Sequence, residues 1–150
     1  MRGRGQFRVP RVAVLNYLLD ANTWIAFLRW KNSGVLARLK QHSADEILLC
    51  SVVLGELWYG AERSDPNRKA SNYALVDALE STYKSLTFDN AAAREYALIR
   101  AELTRTGRPI GPNDTMIAAI TRNRGMTLVT NNTAEFSRVP GLFIEDWQST

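Results

Sequence analysis

The segment VLNYLLD, residues 14–20, is a short apolar run that ends on an acid. A continuous apolar run of this length is typical of a strand that is buried on both faces of a parallel sheet. Asp20 then lies at the carboxyl end of this strand, where α/β proteins bind their ligands. Because a carboxylate is costly to bury unless it is paired or binds a cation, the segment marks Asp20 as a candidate ligand.

Strands and helices alternate along the rest of the chain. This order is typical of an α/β domain, in which a mostly parallel sheet of four to five strands lies between two layers of helices. The predicted strands are 14–19, 47–50, 86–88, 127–129 and 142–144. The predicted helices begin near Trp24 (capped by Asn22 or Thr23), at 35 after a break at Ser33-Gly34, after a cap at Ser51, at Pro66, after Asp89 and at 114, with a loop over 107–112.

Length and charge indicate one folded domain with a basic extension. A chain of 150 residues suits a single core. Of the 19 Lys and Arg residues, four lie within the first eleven positions, and the other 15 balance the 15 acids. We therefore expect residues 1–13 to form a disordered extension and 14–150 to form the domain. An RNA-binding role for this arm is the alternative.

Cysteine content and hydropathy restrict the location of the protein. Cys50 is the only cysteine, which excludes an internal disulfide and fits a reducing cytoplasm. The chain has no apolar run long enough for a membrane span and no apolar stretch typical of a secretory signal. We expect a cytoplasmic protein with no membrane partner.

Two further acids lie in settings similar to that of Asp20. Glu56 interrupts an apolar stretch about a turn and a half into its predicted helix, so that it can reach back to the strand before it. Asp114 stands at the start of a helix, where the helix dipole favours a negative charge. Each acid alone has an ordinary explanation, as a helix cap or as part of a solvated helix face. Together they predict one shared site.

The chemistry of three carboxylates points to a hard cation. Converging carboxylates repel one another and raise their pKa values, and a divalent ion removes that penalty. Oxygen ligation suits Mg²⁺ or Mn²⁺, which activate water and neutralise charge in phosphodiester cleavage. Zinc is disfavoured because Cys50 and His42 have no partners at metal-ligand spacing.

Four blocks in order along the chain resemble the motifs of PIN-domain proteins. They are LLDAN (18–22), SVVLGELWYGA (51–61), PIGPNDTMIAA (109–119) and TLVTNNTAEF (127–136), followed by VPGL (139–142) and EDW (145–147). Within that superfamily the pattern is similar to the VapC toxins of bacterial toxin–antitoxin pairs. The resemblance implies a PIN-like α/β/α fold and a Mg²⁺- or Mn²⁺-dependent endoribonuclease that cleaves structured RNA, such as tRNA. It also implies a homodimer and a VapB-like antitoxin that occupies the active-site groove.

The resemblance assigns the site residues. Asp20, Glu56 and Asp114 match the metal-binding acids of the family. The hypothesis that follows is that Asp20 and Asp114 bind the ion directly and Glu56 binds it directly or through water, which orients water for in-line attack on the phosphate. This hypothesis predicts that an Asp20→Asn variant folds but does not cleave RNA.

The fourth position of the site differs from the family pattern. The family often carries Asp where this chain has Asn132, and Glu135 follows three residues later. Because an amide adds no negative charge, we expect one tightly bound ion that is assisted by Asn132 or Glu135. Asn22 and Thr130 are expected to orient Asp20.

The aromatic residues have two interpretations. Most of them, including Trp24 and Phe27, are expected to pack in the core. Trp30, Trp58 and Tyr59 are candidates for lining the groove that receives the antitoxin, because exposed apolar grooves mark partner sites.

Two other classes of function are alternatives to the nuclease. A receiver-like module in which Asp20 accepts phosphate would need a lysine after a late strand, and residues 130–132 are Thr-Asn-Asn. A PIN scaffold that has lost catalysis and binds RNA or protein partners is kept open by Asn132. Nucleotide-binding enzymes are poorly supported, since the chain has no G-x-G-x-x-G or Walker motif.

Overall fold

Five short parallel strands form the centre of the fold. The computed structural model describes residues 16–148. The strands are β1 (Tyr17–Leu19), β2 (Ile47–Cys50), β3 (Lys84–Leu86), β4 (Thr127–Val129) and β5 (Phe143–Glu145). Their order across the sheet is β3-β2-β1-β4-β5, and each neighbouring pair is parallel. The predicted parallel sheet is thereby confirmed, with the upper of the two expected strand numbers.

Helices fill the connections between the strands. They are α1 (Ala21–Trp30), α2 (Ser33–Lys40), α3 (Ser51–Glu62), α4 (Pro66–Thr82), α5 (Asn90–Arg105), α6 (Pro112–Asn123) and the short α7 (Thr133–Phe136), with a 3₁₀ turn at Ala44–Glu46. Side-chain caps start several of them in the usual way: Asp65 accepts a hydrogen bond from the backbone of Asn67, and Asp89 accepts one from that of Ala92.

The burial pattern of the central strands shows that helices cover both faces of the sheet. Successive strand residues point to opposite faces, yet Leu18 and Leu19 of β1 are both fully buried, as are Leu128 and Val129 of β4. This double burial explains why the strands read as continuous apolar runs. It also confirms the expected three-layer α/β/α domain.

The strand order creates a crevice at one edge of the sheet. The chain moves outward from β1 to β2 and β3 and then returns to the other side of β1 as β4. In such sheets the two halves diverge at the carboxyl ends of the strands on either side of the switch, and ligands bind there. Because Leu19 is paired with Val129, the residues that follow β1 and β4 meet at this point.

The C-terminal strand is held in place by a ring stack. Trp147 is buried, its ring stacks on that of His42 with an interplanar angle of 5°, and its indole N–H donates to Glu145 at 2.8 Å. Arg38 of α2 reaches the same Glu145 carboxylate at 3.2 Å. These contacts fix the end of β5, which leads to Asp146.

Most predicted elements agree with the structure, and the differences lie at their ends. The strands at 47–50 and 127–129 are as predicted, β3 lies two residues earlier than expected and β5 one residue later. The break after α1 falls at Lys31, in the left-handed conformation (φ 48°), rather than at Ser33-Gly34. Asn32 then caps α2 by accepting hydrogen bonds from the backbone of Gly34 and Val35. A capping amide was thus a stronger signal than the glycine.

Three further predictions about helix starts were wrong. Asp20, rather than Asn22 or Thr23, caps α1, and Cys50, rather than Ser51, is the residue at the cap of α3. The helix predicted from 114 begins at Pro112, which is suited to the first turn because it lacks an N–H. Helix α7 was not predicted. The predicted basic extension, residues 1–13, lies outside the described residues, as do the first two residues of the predicted first strand.

No helix among residues 16–148 is both long enough and apolar enough to cross a membrane.

The central strand provides the first testable prediction. Leu18→Ala removes a fully buried side chain between two helical layers, and we expect it to lower the free energy of unfolding by about 2–5 kcal/mol. The control is Phe143→Ala, at a side chain of β5 that is 62% exposed, for which a change within about 0.5 kcal/mol is expected. Urea unfolding measures both, and equal losses would contradict the assignment of the core.

Candidate metal-binding active site

Asp20 is both a helix cap and a buried acid of the crevice. Its Oδ1 accepts a hydrogen bond from the backbone N–H of Thr23 at 2.9 Å, which starts α1. Its own N–H donates to the carbonyl of Val129 at 3.0 Å, which ties it to the end of β4. Only 7% of the residue is exposed. The ordinary explanation as a cap is therefore correct, and the position at the ligand-binding edge is correct as well.

The environment of Asp20 opposes its charge. Burial raises the pKa of Asp20, hydrogen bonds with Thr130 and Thr23 act in the opposite direction, and the negative charge of Asp146 raises the pKa further. Asn22, which was expected to orient Asp20, is exposed. The hydrogen bonds to the Asp20 carboxylate come instead from Thr23 and from the predicted Thr130.

Glu56 reaches the crevice from α3. Its Oε2 accepts a hydrogen bond from the side-chain amide of Asn113 at 3.4 Å. Partial burial raises the pKa of Glu56, the Asn113 contact lowers it, and the nearby charge of Asp20 raises it. The carboxylates of Glu56 and Asp20 therefore act on each other across the crevice, although 36 residues separate them in the sequence.

Asp114 is the acid that interacts with the largest number of others. It lies in the first turn of α6, whose cap is Gly111, so its explanation as a helix cap is wrong. Burial raises the pKa of Asp114 to about 6, and the charge of Glu135 is the second largest cause. The charges of Glu56 and Asp20 contribute as well, and a side-chain hydrogen bond with Glu135 adds to the rise. Four acids thus share one electrostatic environment.

The segment after β4 completes the crevice. The hydroxyl of Thr130, which is fully buried, accepts a hydrogen bond from the backbone N–H of Asn132 at 2.9 Å. The side-chain amide of Asn132 donates to Glu135 Oε1 at 3.1 Å. Glu135, at the third position of α7, is the member of this pair that acts on Asp114.

The donor set fits a hard divalent cation. Carboxylate oxygens are the preferred ligands of Mg²⁺ and Mn²⁺, and the mutual repulsion of these acids is what a cation relieves. Within residues 16–148, no three His, Cys, Asp or Glu side chains form a group that could hold a metal ion in the arrangement seen. The acids are therefore coupled through their charges, and a complete ligand shell is not preformed.

Sequence reasoning missed two residues of this region. Asp146 follows β5 just as Asp20 follows β1, so the strand-end argument would have found it. Asn113 lies within the block at 109–119, but no signal in the sequence indicates that its side chain contacts Glu56, because that contact depends on the packing of α3 against α6.

The three candidate groove aromatics differ in their surroundings. Trp30 and Tyr59 are 70% and 66% exposed. Trp58 is partly buried and meets the ring of Tyr73 edge-on at 5.0 Å, so it joins α3 to α4.

Helices α1, α3 and α4 enclose a cleft of about 530 Å³. Its apolar lining includes Ile25 and Leu28 of α1, and Leu57 of α3. Three arginines, Arg29, Arg63 and Arg68, belong to the same lining. The cleft therefore combines an apolar surface with positive charge.

Comparisons with known proteins were made with both the sequence and the fold. The PIN domain family matches residues 17–142. The chain is 44% identical over 135 residues to the tRNA(fMet)-specific endonuclease VapC of Shigella flexneri. The aligned region covers 89% of this chain and 99% of the relative. It is 37% identical over 135 residues to ribonuclease VapC2 of Haemophilus influenzae, with the same coverage.

Solved structures of VapBC complexes also match the fold of this chain. The crystal structure of DNA-bound VapBC from Salmonella typhimurium matches with a TM-score of 0.83 and 41% identity, covering 89% of this chain and 98% of that one. VapBC2 from Rickettsia felis, bound to a DNA fragment from its promoter, matches with a TM-score of 0.80 and 31% identity, covering 89% of this chain and 99% of that one.

The raised pKa of Asp114 predicts a stability effect. Its value in the folded protein, about 6, lies above the ordinary 3.8, so the folded state binds this proton more tightly than the unfolded chain does. The free energy of unfolding therefore falls as the pH rises between these two values, and it stays reduced at higher pH. At pH 8 and without divalent ions, Asp114→Asn should raise Tm by about 2–4 °C, or roughly 1 kcal/mol after allowance for the partial exposure of the group.

The gain in Tm should shrink toward zero below the ordinary pKa, because both forms are then neutral. Asp77→Asn, at an exposed position of α4, is the matched control and should leave Tm unchanged. Calorimetry at several pH values measures both variants. A lower Tm for Asp114→Asn at pH 8 would contradict the repulsion described here.

Proposed function

This chain belongs to the PIN-domain family and is a VapC-type ribonuclease, and we propose that it is a toxin that cleaves structured RNA of the tRNA class. The observation that carries this proposal is the coupling of four carboxylates in a crevice at the switch point of the sheet. Relatives from Shigella flexneri and Salmonella typhimurium are named tRNA(fMet)-specific endonucleases, which supports tRNA as the substrate class.

We further propose Mg²⁺, with Mn²⁺ as a substitute, as the cofactor. Asp20 and Asp114 would hold the ion directly, Glu56 would hold it directly or through water, and Glu135 would supply the additional negative charge. When bound, the ion neutralises charge on the scissile phosphate and makes water a better nucleophile.

The contribution of the chain is to hold the acids in place. Thr23 and Thr130 fix the carboxylate of Asp20 from α1 and β4, and Asn113 contacts Glu56 from the start of α6. Asp114 stands in the first turn of that helix, whose amino end favours negative charge, including that of a phosphate group. The low exposure of Asp20 keeps bulk water from the inner side of the site and strengthens its electrostatic interactions.

A VapB-like antitoxin is the proposed partner. The matching Salmonella and Rickettsia structures are VapBC complexes. The cleft among α1, α3 and α4 suits an amphipathic segment whose apolar side chains enter the cleft and whose acids meet the arginines. Trp30 and Tyr59 offer large exposed rings of the kind that serve as binding hot spots.

We also propose a cytoplasmic homodimer. The cytoplasm holds the proposed tRNA substrate, and the single cysteine, Cys50, is buried and unpaired. Helix α5 presents Leu98 as a large exposed apolar side chain, which is available for contact with a second copy.

The catalytic proposal is tested by Asp20→Asn. Asparagine caps a helix as well as aspartate does, so α1 should be preserved and the melting temperature should not fall. Removal of the charge should reduce cleavage of a tRNA pool to background, as should EDTA in the wild type. Sequencing of the new 5′ ends measures cleavage.

Asp89→Asn is the matched control for this variant, because it makes the same change at the cap of α5. It should cleave at the wild-type rate. Full activity of Asp20→Asn would overturn the catalytic proposal, whereas RNA binding without cleavage by the wild type would favour a catalytically inactive scaffold.

The partner proposal predicts separate effects for the three aromatics. Trp30→Ala and Tyr59→Ala should weaken binding of the antitoxin encoded by the neighbouring reading frame by about 30-fold, as expected for hot-spot residues. Tm should not fall, because both rings are exposed. Trp58→Ala should lower Tm, because its ring packs against Tyr73.

Phe143→Ala provides the control for binding, since this residue of β5 is 62% exposed. Its affinity for the antitoxin should equal that of the wild type in isothermal titration calorimetry. If Trp30→Ala and Tyr59→Ala also bind normally, the antitoxin does not use these rings.

A further inference from the structure

We propose that Asn132 is a positioning residue, whose side-chain amide aims the carboxylate of Glu135, the fourth acid of the site, at Asp114. This inference rests on the proposed function, because it concerns how the same site holds its cation. It separates two residues that the sequence left as alternatives.

The contacts form a continuous path through the segment after β4. Thr130 lies at the end of the strand, and its hydroxyl interacts with Asp20 and also accepts a hydrogen bond from the backbone of Asn132 at 2.9 Å. The amide of Asn132 then donates to Glu135 Oε1 at 3.1 Å. Through Thr130, the direction of the Asn132 side chain is therefore linked to the end of the central strands.

The path continues from Glu135 to Asp114. The carboxyl groups of Glu135 and Asp114 share a side-chain hydrogen bond. In the structure the amide of Asn132 is thus engaged with Glu135, and it is the Glu135 carboxylate that reaches Asp114. Only an amide nitrogen can donate in the Asn132 contact, because a carboxylate at the same position would be an acceptor facing an acceptor.

The hydrogen bond between Asn132 and Glu135 requires a donor side chain at position 132. The amide donor of Asn132 holds the Glu135 carboxylate by a hydrogen bond and restricts its rotation, as residues outside the ligand shell do for metal-binding carboxylates. An aspartate of the same shape at this position would instead repel Glu135 at about 3 Å and turn it away from Asp114. An aspartate at position 132 should therefore weaken cation binding. If residue 132 bound the ion directly, the same aspartate would strengthen cation binding.

Asn132→Asp tests the inference in the full chain, purified without antitoxin. Isothermal titration with Mg²⁺, and with Mn²⁺ as a second probe, should give an affinity about 10- to 100-fold lower than that of the wild type, as for other changes around metal ligands. Glu135→Gln should show a similar loss. In a background of Glu135→Gln, Asn132→Asp should produce no further loss, because the contact has already been removed.

Asn131→Asp is the matched control, because it adds the same charge at the adjacent exposed residue. Its affinity for Mg²⁺ should be no lower than that of the wild type. Asn132→Ala removes the donor without adding a charge and should bind Mg²⁺ several-fold more weakly. Circular dichroism without metal checks that each variant is folded. If Asn132→Asp is unfolded, the Mg²⁺ affinity of Asn132→Ala tests the inference instead.

The possible results distinguish a failure of this inference from a failure of the proposed function. Equal or tighter Mg²⁺ binding by Asn132→Asp would overturn the inference and assign position 132 a direct ligand role, while leaving the proposed function intact. A wild-type protein that binds no Mg²⁺ and cleaves no tRNA would overturn the proposed function and this inference with it.

Discussion

The parallel pairing of β1 with β4 is the constraint on which the site depends. It sets Leu19 beside Val129, so that Asp20 and Thr130 emerge together at the carboxyl edge of the sheet. The Asp20 backbone donates to the Val129 carbonyl, and the Thr23 hydroxyl reaches the same carbonyl at 3.2 Å, which leaves little freedom at this junction. Because both strands are buried on both faces, a one-residue shift of this register would move each side chain from its own helical layer into the opposite one and disrupt the packing of both. The position of the first acid is therefore secured by the hydrophobic core rather than by the acids themselves.

The remaining acids are brought to the crevice against their own repulsion. The pKa values of Asp20, Glu56 and Asp114 are all raised, mainly because burial disfavours the charged forms and partly because the charges lie near one another. A cluster of this kind lowers the stability of the folded chain and is retained where function requires it. Neutral donors moderate the repulsion: Thr130 and Thr23 serve Asp20, Asn113 serves Glu56, and Asn132 serves Glu135. The acids and their donors come from separate segments, so the site depends on the packing of α3, α6 and α7 around the sheet edge.

The outer surface divides into regions with different chemistry. The acids occupy the sheet edge, whereas the cleft among α1, α3 and α4 pairs an apolar surface with arginines. Arg29 and Arg63 also lie over the exposed rings of Trp30 and Tyr59, at 5.6 and 5.5 Å from the ring centres. These cation–π contacts hold large apolar rings at the surface in defined positions, which reduces the entropy lost when a partner binds them.

The sequence by itself determined the fold class and the alternation of elements, and it predicted three acids whose charges act on one another in the structure. Those features are local: apolar runs predict buried strands, as at 47–50 and 127–129, and a carboxylate after such a run predicts a ligand site. The tertiary structure alone decided that Asn32 rather than Ser33-Gly34 ends the link between α1 and α2, that Thr23 rather than Asn22 contacts Asp20, and that the amide of Asn132 donates to Glu135. These outcomes depend on distances between segments that are remote in the chain, and no local pattern encodes which of several polar side chains comes within hydrogen-bonding reach. Local periodicity specifies which face of an element is buried, whereas the contacts of a site are set by how those faces pack against one another.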